Sequence, residues 1–428
     1  MRGAFLIGNR RLDAAVDHSP KAIGLRGLIR DPNYVSIWLL GTLTGFIRWF
    51  QLLALGVYTF EITGSPILVA LIPILWGLPL TFCGPIIGGF ADRVNRKLLL
   101  SASLAMILGV SVVMVVLAYK ELLTFSYIAI ASVLSGLFWA TDMPVRRRLV
   151  GYLAGDSVSA AMSLDAATNS ATRMAGPLFG GVMLQWVGIT GVFFLSVSVY
   201  AICLVLVLLA QLPATGRRMA SPALVRDLIA GVNFVLGDWK LRRVFLITIV
   251  FNVFGFPFTA MIPILGKEQL DLDPFLVGLL SSLEGFGAFV GALFVAVFGR
   301  PEAFARIFIW GCAGYLGAVF YLGILAYVAG GPYHSFMAVS MTLTVAGLFG
   351  AGFATMQSTL TYIHSSLEYR SRVFGVLALC IGTGPIGFLN VGWMAETFSL
   401  PTALLIMAVE GFFVLLVLWV YDALSKSD

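Results

Sequence analysis

Charged side chains are scarce in this sequence. Asp, Glu, Lys and Arg make up 11% of the 428 residues and hydrophobic residues 59%. A soluble chain carries roughly a quarter charged residues. Too little polar surface is left to coat a water-soluble globule, and a mean hydropathy of +0.97 assigns the chain to the membrane. Histidine is nearly absent: His18, His334 and His364 all fall in tails or loops, away from any catalytic constellation. The four cysteines, Cys83, Cys203, Cys312 and Cys380, each sit inside an apolar run. No pair has metal-ligand spacing, so the chain predicts no metal site and no disulfide framework. No phosphate loop, ATP motif or catalytic triad occurs, so we expect neither an enzyme nor a resident cofactor, and any work must draw on a gradient. The first 33 residues hold only a four-residue apolar patch, too short for a secretory signal, and predict a basic cytoplasmic tail.

What is present is long apolar runs. A hydrocarbon core of about 30 Å needs about 20 apolar residues per helix. Twelve such runs occur, at roughly 34–60, 66–91, 98–118, 122–144, 160–186, 190–212, 244–266, 275–298, 307–328, 336–359, 373–395 and 400–422. The chain is therefore expected to be an all-α membrane protein with twelve transmembrane helices. With both termini cytoplasmic, the tails and even-numbered loops hold 23 of the 27 Lys and Arg, as the positive-inside rule requires. Lys120 and Lys267 fall outside; Arg48 and Arg173 fall within spans. The net charge of +6 thus marks topology and predicts no nucleic-acid partner. Residues 213–243 form the longest loop. Within it Val225, Leu228, Ile229, Val232 and Leu236 recur at helical spacing, with Arg226, Asp227 and Asn233 opposite, which predicts an amphipathic helix on the cytoplasmic face.

The chain also repeats itself. A shift of 207 residues brings Asp31 onto Asp238, Glu61 onto Glu268 and Arg93 onto Arg300; a shift of 208 brings Gly176-Pro177 onto Gly384-Pro385. The common offset predicts two six-helix halves, 34–212 and 244–422, with the linker 213–243 between them and short tails at 1–33 and 423–428. Parallel halves around a midplane site are a transporter architecture.

Few ionisable residues lie deep in the spans, and each is a functional candidate because a charge in hydrocarbon needs a partner or a purpose. Arg48 lies mid-span in "FIRWFQ", flanked by Trp49 and Gln51, and reads either as a cavity charge that binds an anionic substrate group or pairs with a carboxylate, or as a structural ion pair. Span 5 carries Asp165, Asn169, Thr172, Arg173 and Gly176 in helical steps that put them on one face. This face reads either as a cavity wall with a gating ion pair or as a polar network that fixes packing. Glu284 in span 8 and Glu410 in span 12 are deep carboxylates, and Asp142 closes span 4. A carboxyl withdrawn from water takes up a proton more readily, so these three are the proton-coupling candidates. Trp49, Trp76, Trp139 and Phe256 are candidates for an apolar pocket. Gly176, Gly180 and Gly181 have spacing that lets helices touch closely, and Pro177 removes one backbone hydrogen bond.

Two motifs now have a place. "GGFADRVNRK" (Gly88–Lys97) lies between spans 2 and 3 and resembles the helix 2–3 signature of the major facilitator superfamily, with Gly88, Asp92, Arg93, Arg96 and Lys97 matching. Asn95 stands where the signature has Gly; Asn tolerates a left-handed backbone, so the turn is expected to survive. "RMAGPLFGG" (Arg173–Gly181) is similar to the Gly-Pro motif of the exporter and antiporter branches. "ITGSP" (Ile62–Pro66), "MPVRRRLVGYL" (Met143–Leu153) and "EYRSRVFG" (Glu368–Gly375) look like the branch of macrolide and drug efflux pumps and the enterobactin exporter. The resemblance spans about residues 28–422. It implies the major facilitator fold, a central cavity lined by helices 1 and 8 with helix 12 facing lipid, and a latch in which Asp92 meets the start of helix 11 near Arg370 and Arg372 in the outward-open state. Glu284 thereby becomes the preferred proton carrier and Glu410 a packing residue.

The resulting expectation is a monomeric secondary exporter in a bacterial inner membrane. It would move a small amphipathic, drug-like or siderophore-like compound, with protons as coupling ion and membrane lipid as surroundings. A metabolite importer or facilitator, a lysolipid transporter and a non-transporting membrane scaffold are the alternatives.

Overall fold

The computed structural model describes residues 27–91, 95–212, 224–328 and 332–424, and all regular structure among them is helical. The helices are α1 Pro32–Thr63, α2 Pro66–Ala91, α3 Arg96–Tyr119, α4 Phe125–Ala154, α5 Val158–Leu209 and α6 Leu224–Gly237. They continue with α7 Trp239–Gln269, α8 Pro274–Phe298, α9 Phe304–Val328, α10 Pro332–His364, α11 Arg370–Ile381, α12 Gly384–Thr397 and α13 Leu400–Leu424. Among the described residues ten helices are long and apolar enough to cross a membrane.

Local chemistry sets the boundaries. The Asp31 carboxylate caps α1 by accepting from Asn33 N–H at 2.9 Å, and Pro32 opens the first turn with a fixed φ and no orphaned N–H. Gly64 closes α1 with φ 64°, its N–H donating to the Phe60 carbonyl, and Pro66 starts α2. This gives the "ITGSP" stretch its role as a tight reversal. Asp238 repeats the cap on α7, accepting from Lys240 and Leu241 N–H. The match of Asp31 with Asp238 is thus a match of N-caps.

Four expected spans differ in detail. The runs at 160–186 and 190–212 belong to one 52-residue helix, α5, broken at Gly188 with φ 74° and ψ −175°. α7 is not a regular α-helix: Phe251–Gly255 and Leu265–Gln269 are π turns and Phe256–Met261 is a 3₁₀ turn, where Pro257 and Pro263 withhold backbone donors. The run at 373–395 is split into α11 and α12 at Gly382–Thr383. Gly176-Pro177 and Gly384-Pro385 therefore match in sequence but not in effect, since Pro177 lies inside continuous α5 while Pro385 occupies the first turn of α12.

Buried apolar side chains form two clusters. One draws on α1 through α5, with Ile72 from α2; the other draws on α6 through α13. The crossings are few: Val69 and Ala70 of α2 join the second cluster, and Val277 of α8 joins the first.

At the basic end, where α2 meets α3 and α10 meets α11, Asn95 departs from expectation. Its backbone is extended (φ −60°, ψ 117°), not left-handed, and its side chain caps α3 by accepting from Lys97 N–H. Asn serves here as a cap, which needs a side-chain oxygen and not a positive φ. The Lys97 ammonium donates to the Leu208 and Ala210 carbonyls at 2.7 and 2.8 Å, neutralising the C-terminal end of α5. Asp92 and Arg93 lie outside the described residues. α6 packs on α11: Gly231 lies under the Arg372 carbonyl, and the Phe234 and Tyr369 rings stack at 4.7 Å. Leu228 and Val232 pack against the second cluster, whereas Ile229 and Leu236 remain exposed, so the expected apolar stripe is divided between protein and surroundings.

Candidate functional site

A cavity of about 1120 Å³ lies between the two halves. Its deep wall carries Arg48 and Trp49 of α1, Trp76 of α2, Trp139 of α4, Arg173 of α5, Phe256 of α7 and Glu284 of α8. Toward the basic end it reaches Arg147, Glu368 and Arg372.

The opposite end is closed by contacts between halves. Glu61 at the end of α1 pairs with Lys267 of α7 at 2.6 Å. The Glu396 carboxylate of α12 accepts from Ser65 Oγ at 2.8 Å and Ile67 N–H at 3.2 Å, at the start of α2. Gln185 of α5 accepts from Phe275 N–H of α8 at 3.0 Å. α5 and α8 also touch backbone to backbone: a Cβ on Gly278 would lie 2.6 Å from the Pro177 carbonyl, and one on Gly181 would strike the Pro274 carbonyl. Space at one end and direct contact at the other describe one arrangement of two bodies about a central cavity.

The sequence from residue 27 to 427 matches the family described as transmembrane secretion effector, a major facilitator group. The chain belongs to that family. It is 21% identical over 350 residues to macrolide efflux protein A of Streptococcus pyogenes, covering 80% of this chain and 84% of that one. It is 19% identical over 331 residues to the staphyloferrin A transporter of Staphylococcus aureus, covering 76% and 79%. Among solved structures, the nucleoside transporter NupG superposes with a TM-score of 0.74 at 14% identity, covering 91% of this chain and 99% of that one, which establishes the fold. The protein is thus a multi-pass major facilitator transporter of a small molecule and not an enzyme.

Within the transporter the polar residues of α5 serve three neighbours. Asn169 accepts from Arg48 Nη2 at 2.9 Å, and Gly176 packs on α1 with Trp49 Cβ 2.6 Å from where its own Cβ would be. Gly180 likewise lets α1 approach at Phe50, so two of the helix 5 glycines serve contacts inside one half and Gly181 serves the contact between halves. Asp165 pairs with Arg146 of α4, which also meets Asp142 at 3.4 Å. Arg173 crosses to α8, its Nη2 donating to both Glu284 oxygens at 2.7 and 2.8 Å. Glu284 is only 4% exposed.

Of the residues singled out from sequence, Arg48, Trp49, Arg173 and Glu284 line the cavity together, as do Trp76, Trp139 and Phe256. Asp165 and Asn169 are not on the cavity lining; they hold Arg146 and Arg48. Gln51 is not on the wall: it donates to Ser196 at 2.9 Å within the first half. Asp142 is buried beside Arg146, one residue from the cavity-lining Met143. Glu410 lies outside the cavity in a groove with Trp393 and Phe413, 3.4 Å from Asn390. Of the latch residues, Arg370 sits 3.7 Å over the Tyr362 ring and Arg372 lies 5.2 Å from the Tyr369 ring on the cavity mouth. Arg96 has no partner for its Nε among the described residues, and Gly88 lies in α2.

Sequence reading missed Arg146, which sits four residues after Asp142 and could have been found by that helical spacing. It also missed the partners Glu61–Lys267 and Ser65–Glu396. No local signal links residues so far apart, although Lys267 stood out as a base on the wrong side for its charge.

Proposed function

We propose that the protein is a secondary active exporter that moves a small amphipathic compound out of the cell by alternating access, driven by proton entry. In this reading the chain passes the membrane twelve times, α5 crossing twice about Gly188 and α11–α12 crossing once. Both termini are cytoplasmic and the membrane is the bacterial inner one. The basic end then faces the cytoplasm, and the structure is the inward-open arrangement, ready to take substrate from inside.

The observation that carries the proposal is the Arg173–Glu284 ion pair. It joins the two halves on the wall of the cavity, where substrate and proton can both reach it. A proton on Glu284 removes the charge that holds Arg173, and a substrate group that engages Arg173 releases Glu284. Either event weakens the same bond between halves, which is the competition an antiporter requires. Glu284 is the proton carrier in this scheme, because of the three candidate carboxylates it is the one that lines the cavity. In the outward-open state Asp92 meets Arg370 or Arg372, exchanging the contacts of one end for those of the other.

The test is reconstitution into vesicles with an imposed pH gradient and a panel of amphipathic drugs and dyes. Gradient-dependent export that a protonophore abolishes is the expected result. Transport that ignores the protonophore would make the protein a facilitator, and no movement of any compound by correctly folded protein would leave the scaffold reading.

A further inference from the structure

We infer that the substrate is an anion: a planar or aromatic apolar body bearing an oxygen anion such as a carboxylate, read by Arg48 within a wall of Trp49, Trp76 and Trp139. This rests on the transport reading above and names its substrate class.

Charge is the first argument. The cavity wall bears Arg48, Arg147, Arg173 and Arg372 against only Glu284 and Glu368. Glu284 is committed to Arg173. No carboxylate among the described residues is within ion-pair distance of Arg48, whose Nη2 bonds the neutral Asn169 amide oxygen at 2.9 Å. The deep wall therefore keeps one cation to which no described carboxylate is bonded, the nearby Asp142 being paired with Arg146.

Orphaned donors are the second. Arg48 Nε and Trp49 Nε1 are buried and have no acceptor among the described residues. Both groups can only donate, and a buried donor without an acceptor costs free energy until one arrives. The two belong to adjacent cavity-lining residues. Both atoms are shut off from the open cavity, so a ligand oxygen meets them only as the wall closes round it, and a ligand ammonium cannot serve them at all.

The aromatic surroundings are the third. The guanidinium carbon of Arg48 lies 4.9, 5.7 and 5.4 Å from the ring centres of Trp49, Trp76 and Trp139. Trp76 and Trp139 stack at 4.4 Å. An aromatic cage of this kind can hold a cationic ligand, but here the protein's own cation already occupies it and would repel a second. The rings steady the guanidinium without cancelling its charge. With Leu52, Leu80 and Met143 nearby they offer apolar surface to the rest of the molecule.

The experiment is equilibrium binding of radiolabelled 1-naphthoate to the whole transporter in nanodiscs, with 1-naphthamide and 1-naphthylmethylamine as neutral and cationic competitors. Naphthoate is expected to bind about tenfold more tightly than either, the scale of one charge-assisted contact. Arg48→Gln is expected to erase that preference and Arg48→Lys to restore part of it. Naphthoate binding no tighter than that of the amide and the amine overturns the inference, and because this arm uses the unmodified protein it does not depend on any variant folding. Gradient-driven export of the amine in preference to naphthoate would overturn the anion assignment and leave the exporter reading intact. Arg48-dependent naphthoate binding with no gradient-driven movement of any probe would uphold the site and remove the exporter reading.

Discussion

Residues 34–212 contribute Arg48, Asp142, Arg146, Asp165 and Arg173 to the middle of the molecule, whereas residues 244–422 bring Glu284 to the same space. The first half holds its charges on helices that run unbroken through the cavity level. The second lines the cavity with helices interrupted by π and 3₁₀ turns in α7 and by the break between α11 and α12. The repeat survives where the need is local, as in the N-caps Asp31 and Asp238. It has diverged where the need is tertiary. One half supplies a fixed charged wall; the other supplies Glu284 at the same depth, Glu368 and Arg372 toward the mouth, and the places where helices can bend.

Removing that acid should have the largest effect. Glu284→Gln leaves Arg173 half-buried without its counter-charge, a loss on the scale of about 3–5 kcal/mol for a broken buried pair. Gradient-driven transport in vesicles is expected to fall about 100-fold or more on that scale, while exchange without a gradient persists. Full gradient-driven activity in this variant would remove Glu284 as the proton carrier.

Next is the contact between halves at α5 and α8. A methyl group at Gly181 meets the Pro274 carbonyl, and overpacking of this kind costs about 1–3 kcal/mol. Gly181→Ala should therefore open the end closed by Glu61 and Lys267, raising about tenfold the rate at which an impermeant reagent labels a cysteine placed at Leu53 from outside. Gly176→Ala, whose clash with Trp49 lies within one half, should lower thermal stability without changing that labelling. If both variants changed the labelling alike, the distinction between contacts within and between halves would fail.

A smaller effect is expected at the Glu61–Lys267 pair, which is partly exposed and worth about 0–1 kcal/mol. Glu61→Gln should raise the same labelling by no more than about fivefold. The smallest changes are the caps. Asp31→Ala and Asp238→Ala should each cost about 1 kcal/mol, seen as similar drops in thermal midpoint, and neither should affect transport.

Much of this was legible from residues alone. Apolar length located the helices, and scarcity of charge in the spans singled out Arg48, Arg173 and Glu284 because each departs so far from its surroundings. Four of the abundant aromatics, Trp49, Trp76, Trp139 and Phe256, were also named as pocket candidates, and all four line the cavity. Asn95 was misread because one residue type serves two backbone roles, and the neighbouring N–H groups decide which.

The sequence by itself determined an all-helical membrane chain, its repeat and its few deep charges, since hydropathy and spacing are properties of consecutive residues. Only the tertiary structure decided which charge meets which. Arg173 was within reach of Asn169 along its own helix, yet it bonds Glu284, 111 residues away. Asn169 goes to Arg48 and Asp165 to Arg146. Buried charges settle on the partner whose geometry best replaces the water they lost, and that geometry exists only once the two halves have come together.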